Sequence, residues 1–330
     1  MNILVTGGAG YIGSHTVREL VRKKHHVTVL DNLSRGHGAS VRGVNLVRGD
    51  TGDAKLLGEL IAGEGIQAVL HFAASSQVGE SVRCPSEYYH NNVVKGLTLL
   101  NALAGAGVMK LVFSSSAAVY GNSQEAPILE GHPTSPTNPY GATKLALEGA
   151  LRWYGGAYGL RTISLRYFNA AGADPAGDMG EDHDPETHLI PLVLRVALGL
   201  APHLNIFGAD YPTPDGTCIR DYIHVNDLAS AHVLALEALD AGTSSAVYNL
   251  GNGNGYSVLE VIRAAEAVTG RSIPVRYAVR RPGDPAVLVA GAAKIKRELG
   301  WQPRFTSLEA ILETAWRWHS SFPRGFAGLG

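Results

Sequence analysis

The chain predicts an α/β fold, a doubly wound parallel sheet joined to a smaller, discontinuous carboxy-terminal α/β lobe. Short apolar runs alternate with helical patterns through the first half, the pattern breaks near residue 168, and a strand–helix pattern returns later. The runs at 3–6, 27–30, 44–47, 68–71, 111–113 and 162–166 are apolar without alternation and read as strands buried on both faces. Between them, 12–22, 55–61, 86–104 and 140–157 carry helical patterns, and helices between such strands imply a parallel sheet covered on both sides. Residues 169–185, rich in Gly, Asp and Pro, read as loop. Beyond them a helix is expected at 188–200, a strand–helix unit at 222–239, a strand at 247–250, and helices at 257–268, 292–299 and 308–318. This predicts one domain over 1–168 with a returning segment at about 218–241, and a lobe made of 169–217 and 242–330.

Composition narrows the function classes. With 45% hydrophobic and 17% charged residues, the 330-residue chain is globular, and at about 150 residues per domain it holds about two domains. A net charge of −1 gives no footprint for nucleic acid or an anionic membrane surface. No run approaches the ~20 apolar residues of a membrane span, and the opening Met1-Asn2-Ile3-Leu4-Val5-Thr6 lacks the pattern of a signal peptide. Cys84 and Cys218 have neither CxxC nor metal-ligand spacing and read as structural, so a reduced, cytoplasmic protein is expected.

The segment Thr6-Gly7-Gly8-Ala9-Gly10-Tyr11-Ile12-Gly13 follows the first strand and opens the first helix. Glycines at 7, 10 and 13 permit the sharp turn, the approach of a pyrophosphate to the backbone, and close helix–strand packing. The helix amino terminus then offers amides to the phosphate charge, which makes this a Rossmann-type dinucleotide site. Asp31 ends the second strand, where a carboxylate binds ribose hydroxyls and repels a 2′-phosphate, favouring NAD over NADP. Arg35 nearby is the opposing signal, since an arginine there accommodates the extra phosphate. Asp50 reads equally as an adenine contact or a turn aspartate.

A second constellation follows the fifth strand. Ser114-Ser115-Ser116 lie at its carboxyl end, where open α/β sheets bind ligands, and Tyr140 and Lys144 share one face of a later helix. A phenol is a poor base near neutrality, and lowering its pKa by about three units requires about 4 kcal/mol. One positive charge at ~4 Å supplies about that much at an effective dielectric of 20, so Lys144 together with an oxidised nicotinamide ring is expected to activate Tyr140. Ser116 would orient the same substrate oxygen.

These motifs, with Val119-Tyr120-Gly121, resemble the extended short-chain dehydrogenase/reductase family. Longer stretches are similar to the UDP-glucose 4-epimerases within it: Val78-Gly79-Glu80-Ser81-Val82, Arg166-Tyr167-Phe168-Asn169, Gly177-Asp178-Met179-Gly180-Glu181-Asp182, Arg220-Asp221-Tyr222-Ile223-His224-Val225 and Arg281-Pro282-Gly283-Asp284. The resemblance implies a retained NAD, with Ser116, Tyr140 and Lys144 in the catalytic positions. It places Gly7, Gly10, Tyr11, Ile12, Gly13, Asp31, Asn32, Asp50, Thr51, Phe72, Ala73, Asn91, Tyr140, Lys144 and Tyr167 on the cofactor. It places Ser116, Tyr140, Asn169, His188, Leu189, Asn205, Phe207, Arg220, Arg281 and Asp284 on a UDP-hexose. Guanidinium groups suit a diphosphate, and Phe207 could stack on uracil. The implied reaction exchanges UDP-glucose and UDP-galactose through a 4-keto sugar. The implied assembly is a homodimer pairing helices near 86–104 and 140–157.

Three positions depart from the family pattern. Ser76 replaces a lysine that often assists the cofactor, His188 replaces an asparagine of some members, and Leu288 stands where a bulky tyrosine restricts the pocket to plain hexoses. The smaller Leu288 implies room for 2-N-acetyl sugars. A nucleotide-sugar 4,6-dehydratase would carry an Asp-Glu pair where this chain has Ala117-Ala118. A UDP-glucuronate enzyme would need a further cation for the sugar carboxylate, and a non-catalytic NAD sensor would not need the Tyr–Lys pair. Residues 181–188 have a metal-ligand composition without the spacing of a defined site, so they read as a polar loop entering a helix and no metal is expected. His25 and His26 read as a solvated connection.

Overall fold

The structure, a computed structural model, describes residues 1–122, 125–281 and 284–329, so Pro282 and Gly283 of the quoted stretch lie outside the described residues. The first half runs β1 (Asn2–Thr6), α1 (Tyr11–Arg22), β2 (His26–Asp31), β3 (Asn45–Arg48), α2 (Ala54–Gly63), β4 (Ala68–His71), α3 (Val78–Arg83), α4 (Pro85–Tyr88), α5 (Lys95–Ala106), β5 (Lys110–Ser114), α6 (Pro139–Tyr158) and β6 (Arg161–Tyr167). The second half runs β7 (Asn169–Ala171), α7 (Leu189–Ala197), β8 (Leu204–Phe207), β9 (Ile219–His224), α8 (Val225–Asp240), β10 (Ala246–Leu250), β11 (Gly255–Ser257), α9 (Val258–Thr269), β12 (Val275–Ala278), β13 (Val287–Leu288), α10 (Ala293–Leu299) and α11 (Leu308–Ser321).

Seven strands form one parallel sheet in the order β10-β6-β5-β4-β1-β2-β3. The chain winds outward from β1 through β2 and β3, then restarts at β4 on the other side. That reversal leaves a crevice beyond the carboxyl ends of β1 and β4, the usual ligand position in such sheets. One face is sealed by α1, α8 and α10 through Val17, Leu20, Leu228, Leu236, Ile295 and Trp301. The other is sealed by α2, α5 and α6 through Leu57, Ile61, Leu99, Leu103, Leu147 and Leu151. A separate core of Ile190, Leu194, Ile206, Val261, Ile311 and Leu312 organises the lobe around α7, α9 and α11.

The expected domain boundaries need correction. Strand β10 pairs with β6 in the large sheet, although residue 242 was the expected start of the lobe's last segment. Strand β9, expected in the returning segment, instead centres a small sheet with β7, β11 and β13, while α8 does return to the large sheet. The predicted helix at 86–104 is interrupted by a π-helical turn at Tyr89–Val94. There Asn92 is buried, and its side chain bonds Ser75 at both its backbone N–H and C=O (2.8 and 3.0 Å). The predicted loop at 169–185 begins with a short strand because β7 finds an open edge on β9. Among the described residues, no helix is long and apolar enough to cross a membrane.

Four histidines are packed into this fold. Burial pushes His15 and His232 down to about 4, and His71 and His224 down to about 3. Each stays neutral in the fold while the unfolded chain takes up a proton below about pH 6.5. Stability is therefore lost as pH falls through that window, by about 2 kcal/mol per histidine between pH 7 and pH 5. The melting temperature should drop by several degrees between those two pH values, and an unchanged or higher value at pH 5 contradicts this account.

Candidate active site

The turn between β1 and α1 is tight because three of its four residues are glycine. Gly7 has φ +71°, and a Cβ there would lie 2.4 Å from the Ala73 nitrogen. A Cβ on Gly13 would lie 2.3 Å from the Gly7 carbonyl oxygen. Gly10 caps α1 without a side-chain hydrogen bond, and no acidic residue stands in the first turn, so the helix terminus suits an anion. Asp31 is buried, and its carboxylate accepts from the Ala9 and Leu33 amides at 3.0 and 2.8 Å, which ties the tip of β2 to the glycine turn. Arg35 is turned toward the Asp184 carbonyl and Glu80.

Asp50 is drawn into a polar clamp. Burial opposes its ionisation, but Lys95 (2.7 Å), the Gly52 amide and Asn32 hold its carboxyl below the usual range. Thr51 is buried beside it. Across the crevice, Phe72 and Ala73 follow β4 with both amides bonded to Thr6, and the Phe72 ring rests 4.7 Å from that of His232. Asn91 donates to the Ser75 hydroxyl at 3.0 Å, and Ser76 is exposed. Tyr11 closes the amino-terminal side, its hydroxyl donating to the Gly172 carbonyl at 2.6 Å, with Ile12 half-buried next to it.

Ser116, Tyr140 and Lys144 converge at the carboxyl end of β5. Ser116 caps the turn Ala117–Tyr120, accepting from the Ala118 amide at 3.1 Å. Asn138 caps α6 and Pro139 opens it, so Tyr140 and Lys144 stand on its first two turns. Gly141 lets α6 dock against this turn, since a Cβ there would lie 2.4 Å from the Ala118 oxygen. The Lys144 ammonium donates to the Ser114 carbonyl at 2.7 Å and lies 5.9 Å from the Tyr140 ring centre. Tyr167 shares a 2.6 Å hydrogen bond with the Ser114 hydroxyl.

Electrostatics correct one expectation. Burial raises the Tyr140 phenol above its ordinary pKa, and the Ser116 hydrogen bond only partly offsets this. Burial likewise pushes Lys144 down to about 7, against the pull of Glu148. With its ammonium turned to Ser114, Lys144 does not by itself lower the phenol in the protein alone.

The lobe carries a set of its own. Arg220 on β9 bonds Asp284 at 2.5 Å, and the Arg281 guanidinium lies 4.0 Å over the Phe207 ring. A backbone bond from the Asp284 amide to the Arg281 carbonyl joins the two pairs, with Asn205 exposed on β8. Phe207 therefore carries a guanidinium on its face in this structure. Asn169 donates to the Asp221 carbonyl at 2.9 Å, and Leu189 opens α7. Leu288 sits opposite Arg220 in the strand register and packs with the cluster containing Ala117, Val119 and Phe168.

The segment 181–188 is, as expected, a loop that enters α7, but it turns one side chain inward: Glu181 is 3% exposed, and its carboxylate faces the rings of both His183 and His188. His188, expected on the substrate, caps α7 with its backbone while its ring is held by Glu181.

Three positioning groups were not evident in the sequence. Glu148, one turn beyond Lys144, makes a buried ion pair with Arg166 and accepts from Ser115. Arg166 also reaches the Tyr120 hydroxyl, which donates to Asn249. Asn92 braces Thr143 on the catalytic helix at 3.0 Å. Asp221 accepts three backbone amides, from Asn252, Gly253 and Ala290, and thereby fixes the strand bearing Arg220. The spacing of Lys144 and Glu148 was a readable signal; the partners, distant in sequence, were not.

A glycine turn at the sheet's switch point together with a Ser–Tyr–Lys group defines a nucleotide-cofactor enzyme of the short-chain dehydrogenase type. The chain belongs to the NAD dependent epimerase/dehydratase family, whose model matches residues 3–251. It is 54% identical over 327 residues to a UDP-glucose 4-epimerase of Halalkalibacterium halodurans, covering 99% of this chain and 98% of that protein. A solved UDP-glucose 4-epimerase from Brucella ovis in complex with NAD superposes with TM-score 0.93 at 48% identity, covering 96% of this chain and 97% of that one. Another, from Bifidobacterium longum in complex with NAD+ and UDP, has TM-score 0.93 at 42% identity, covering 99% and 100%.

Removing the charge behind the catalytic helix tests the ion pair. Glu148→Ala leaves Arg166 buried without its partner and should cost about 3–5 kcal/mol in denaturant unfolding. A loss below about 1 kcal/mol, the scale of an exposed pair, would show that the pair does not hold the site together.

Proposed function

We propose that this chain is an NAD-dependent isomerase that interconverts UDP-glucose and UDP-galactose by transient oxidation at carbon 4 of the sugar. The observation that carries this reading is the convergence of Ser116, Tyr140 and Lys144 at the carboxyl end of β5, in a chain whose lobe also carries Arg220, Arg281 and Phe207. Carbon 4 of a hexose has no adjacent carbonyl, so inversion by proton abstraction alone is chemically inaccessible.

The residues fit NAD on structural grounds. The amino terminus of α1 has neither a side-chain cap nor an acidic residue in its first turn, which suits a diphosphate, and the Asp31 carboxylate keeps acceptor capacity for a ribose. Gly7, Gly10, Tyr11, Ile12 and Gly13 would hold the diphosphate, Asp31 and Asn32 the ribose, and Asp50 and Thr51 the adenine side. Phe72, Ala73, Asn91 and Tyr167 would line the remaining cleft with Tyr140 and Lys144. When bound, NAD supplies the oxidation at carbon 4, its reversal, and a positive charge beside the phenol.

Ser116 orients the 4-hydroxyl, and the Tyr140 phenolate takes its proton. The 4-keto sugar then turns about its bond to the diphosphate, and Tyr140 returns the proton to the other epimer. Lys144 holds the helix-to-strand geometry and contributes charge. Arg220 and Arg281 bind the diphosphate, Phe207 and Asn205 the uridine end, and Asn169, Leu189 and Asp284 complete the pocket. His188 contributes through its backbone. A firm grip on UDP with a loose grip on the sugar permits the turn. Alanines at 117 and 118 leave no acid beside Ser116 to expel water, which disfavours the dehydratase alternative.

Tyr89, Val94, Trp153 and Tyr158 expose large apolar surface on and beside α5 and α6. This supports a homodimer through these helices, and sedimentation should give twice the chain mass, with a monomer contradicting it. Free Cys84 and Cys218 accord with a reducing, cytoplasmic setting.

Incubation with UDP-galactose and no added NAD should yield UDP-glucose, with a label at carbon 4 retained. A stable 4-keto product would indicate a dehydratase, no product a sensor, and loss of label to solvent a different mechanism. Tyr140→Phe should lower turnover at least ~100-fold with UDP affinity little changed. Leu288→Tyr should remove turnover of UDP-N-acetylgalactosamine before that of UDP-galactose.

A further inference from the structure

Four of the six ionisable side chains between Met179 and α7 are placed as a metal site is placed. One potential ligand atom from each of Glu181, His183, Glu186 and His188 lies within 4.8 Å of the corresponding atom of every other. The His183 Nδ1 lies 3.1 Å from Glu181 Oε1 and 3.8 Å from Glu186 Oε2, and the His188 Nδ1 approaches the same Glu181 oxygen. The two imidazole rings meet edge to face at 5.3 Å. Two imidazoles thus share one carboxylate oxygen, while a second carboxylate approaches from the other side.

The backbone that carries this set is held from both halves of the molecule. The Glu181 carbonyl accepts from the Trp318 indole at 3.0 Å, and the Asp182 carbonyl bonds His37 at 3.0 Å. The Pro185 carbonyl accepts from Gln77 at 3.1 Å, and Arg35 donates to the Asp184 carbonyl. The Thr187 and His188 amides bind Glu186 Oε1 at 2.7 and 2.8 Å, which leaves Oε2 toward the cluster. The two carboxylates are buried, with the side chains of Glu181 and Glu186 only 3% and 5% exposed, while His183 is partly open and His188 faces solvent at 51%.

We propose that Glu181, His183, Glu186 and His188 bind one divalent cation of the zinc class. Two imidazoles and two carboxylates match tetrahedral Zn2+ or its Co2+ substitute, whereas Mg2+ and Ca2+ favour an all-oxygen shell. Bond lengths of about 2.0–2.1 Å need ligand atoms about 3.4 Å apart, so modest side-chain rotation closes the set. The cation neutralises both carboxylates and needs the histidines deprotonated. Its role is structural. The His183 ring stands edge-on to Tyr11 at 6.2 Å, and His188 caps α7, so the metal fastens the start of α1 to the start of α7. The inference stands on these residues and does not depend on which sugar is turned over.

The test uses the full chain with any affinity tag removed. Elemental analysis should find about one Zn2+ per chain, or stoichiometric uptake after chelation and dialysis. Zn2+ should raise the melting temperature of the chelated protein by several degrees, and Co2+ should give the intense visible absorption of a tetrahedral ion. His183→Gln and His188→Gln should melt like the chelated wild type and show neither response. Absence of uptake by the wild type, a weak octahedral Co2+ spectrum, or undiminished uptake by both variants each overturns the proposal. Should a variant fail to fold, wild-type stoichiometry and the Co2+ spectrum still decide.

Discussion

A buried ammonium governs the geometry of this molecule. Lys144 is 3% exposed, and a cation so far from water must be held by fixed acceptors. The Ser114 carbonyl provides one at the very end of β5, which sets the height of α6 over the sheet. Glu148 lies one turn further along the same helix face and locks onto Arg166 of β6. Arg166 in turn engages Tyr120, and Tyr120 engages Asn249 of β10. Three adjacent strands and one helix are thereby fixed to each other through one buried ion pair and polar groups that burial obliges to find partners. Tyr140 inherits its position from that framework, and Ser116 lies on the turn that Tyr120 closes.

The two halves are less separable than a two-domain description suggests. The chain leaves the large sheet after β6, builds the small sheet around β9, returns through α8 to cover the first face, and supplies β10 as an edge strand before building most of the lobe. Asp221 binds backbone at 252, 253 and 290, all after that return. Walls of the cleft are therefore cross-braced by segments far apart in sequence. This suits a site that must hold a nucleotide end rigidly while a sugar turns, because rotation of the ligand then replaces movement of the protein.

The Tyr140 environment shows the limit of arguing from residue types alone. Helical spacing places Lys144 near Tyr140, and a charge at that distance in isolation would favour the phenolate. Burial acts on both groups in the opposite sense, raising the phenol and lowering the ammonium. Residue spacing alone therefore does not fix the charge available to the phenol.

Much of the fold was legible in the sequence because its causes are local. Continuous apolar strands, the helices between them, and the glycines at 7 and 13 follow from period, sterics and backbone freedom within a few residues. The Ser116, Tyr140 and Lys144 group was legible for the same reason, as strand end and helix face are each local. What only tertiary structure decided is who meets whom: that β10 joins the large sheet and β9 the small one, that Asn92 braces the catalytic helix, that Arg166 is Glu148's partner, and that a segment of polar composition turns Glu181 inward between His183 and His188. Those outcomes rest on contacts across long stretches of chain, where burial obliges each polar group to find a partner that periodicity does not name.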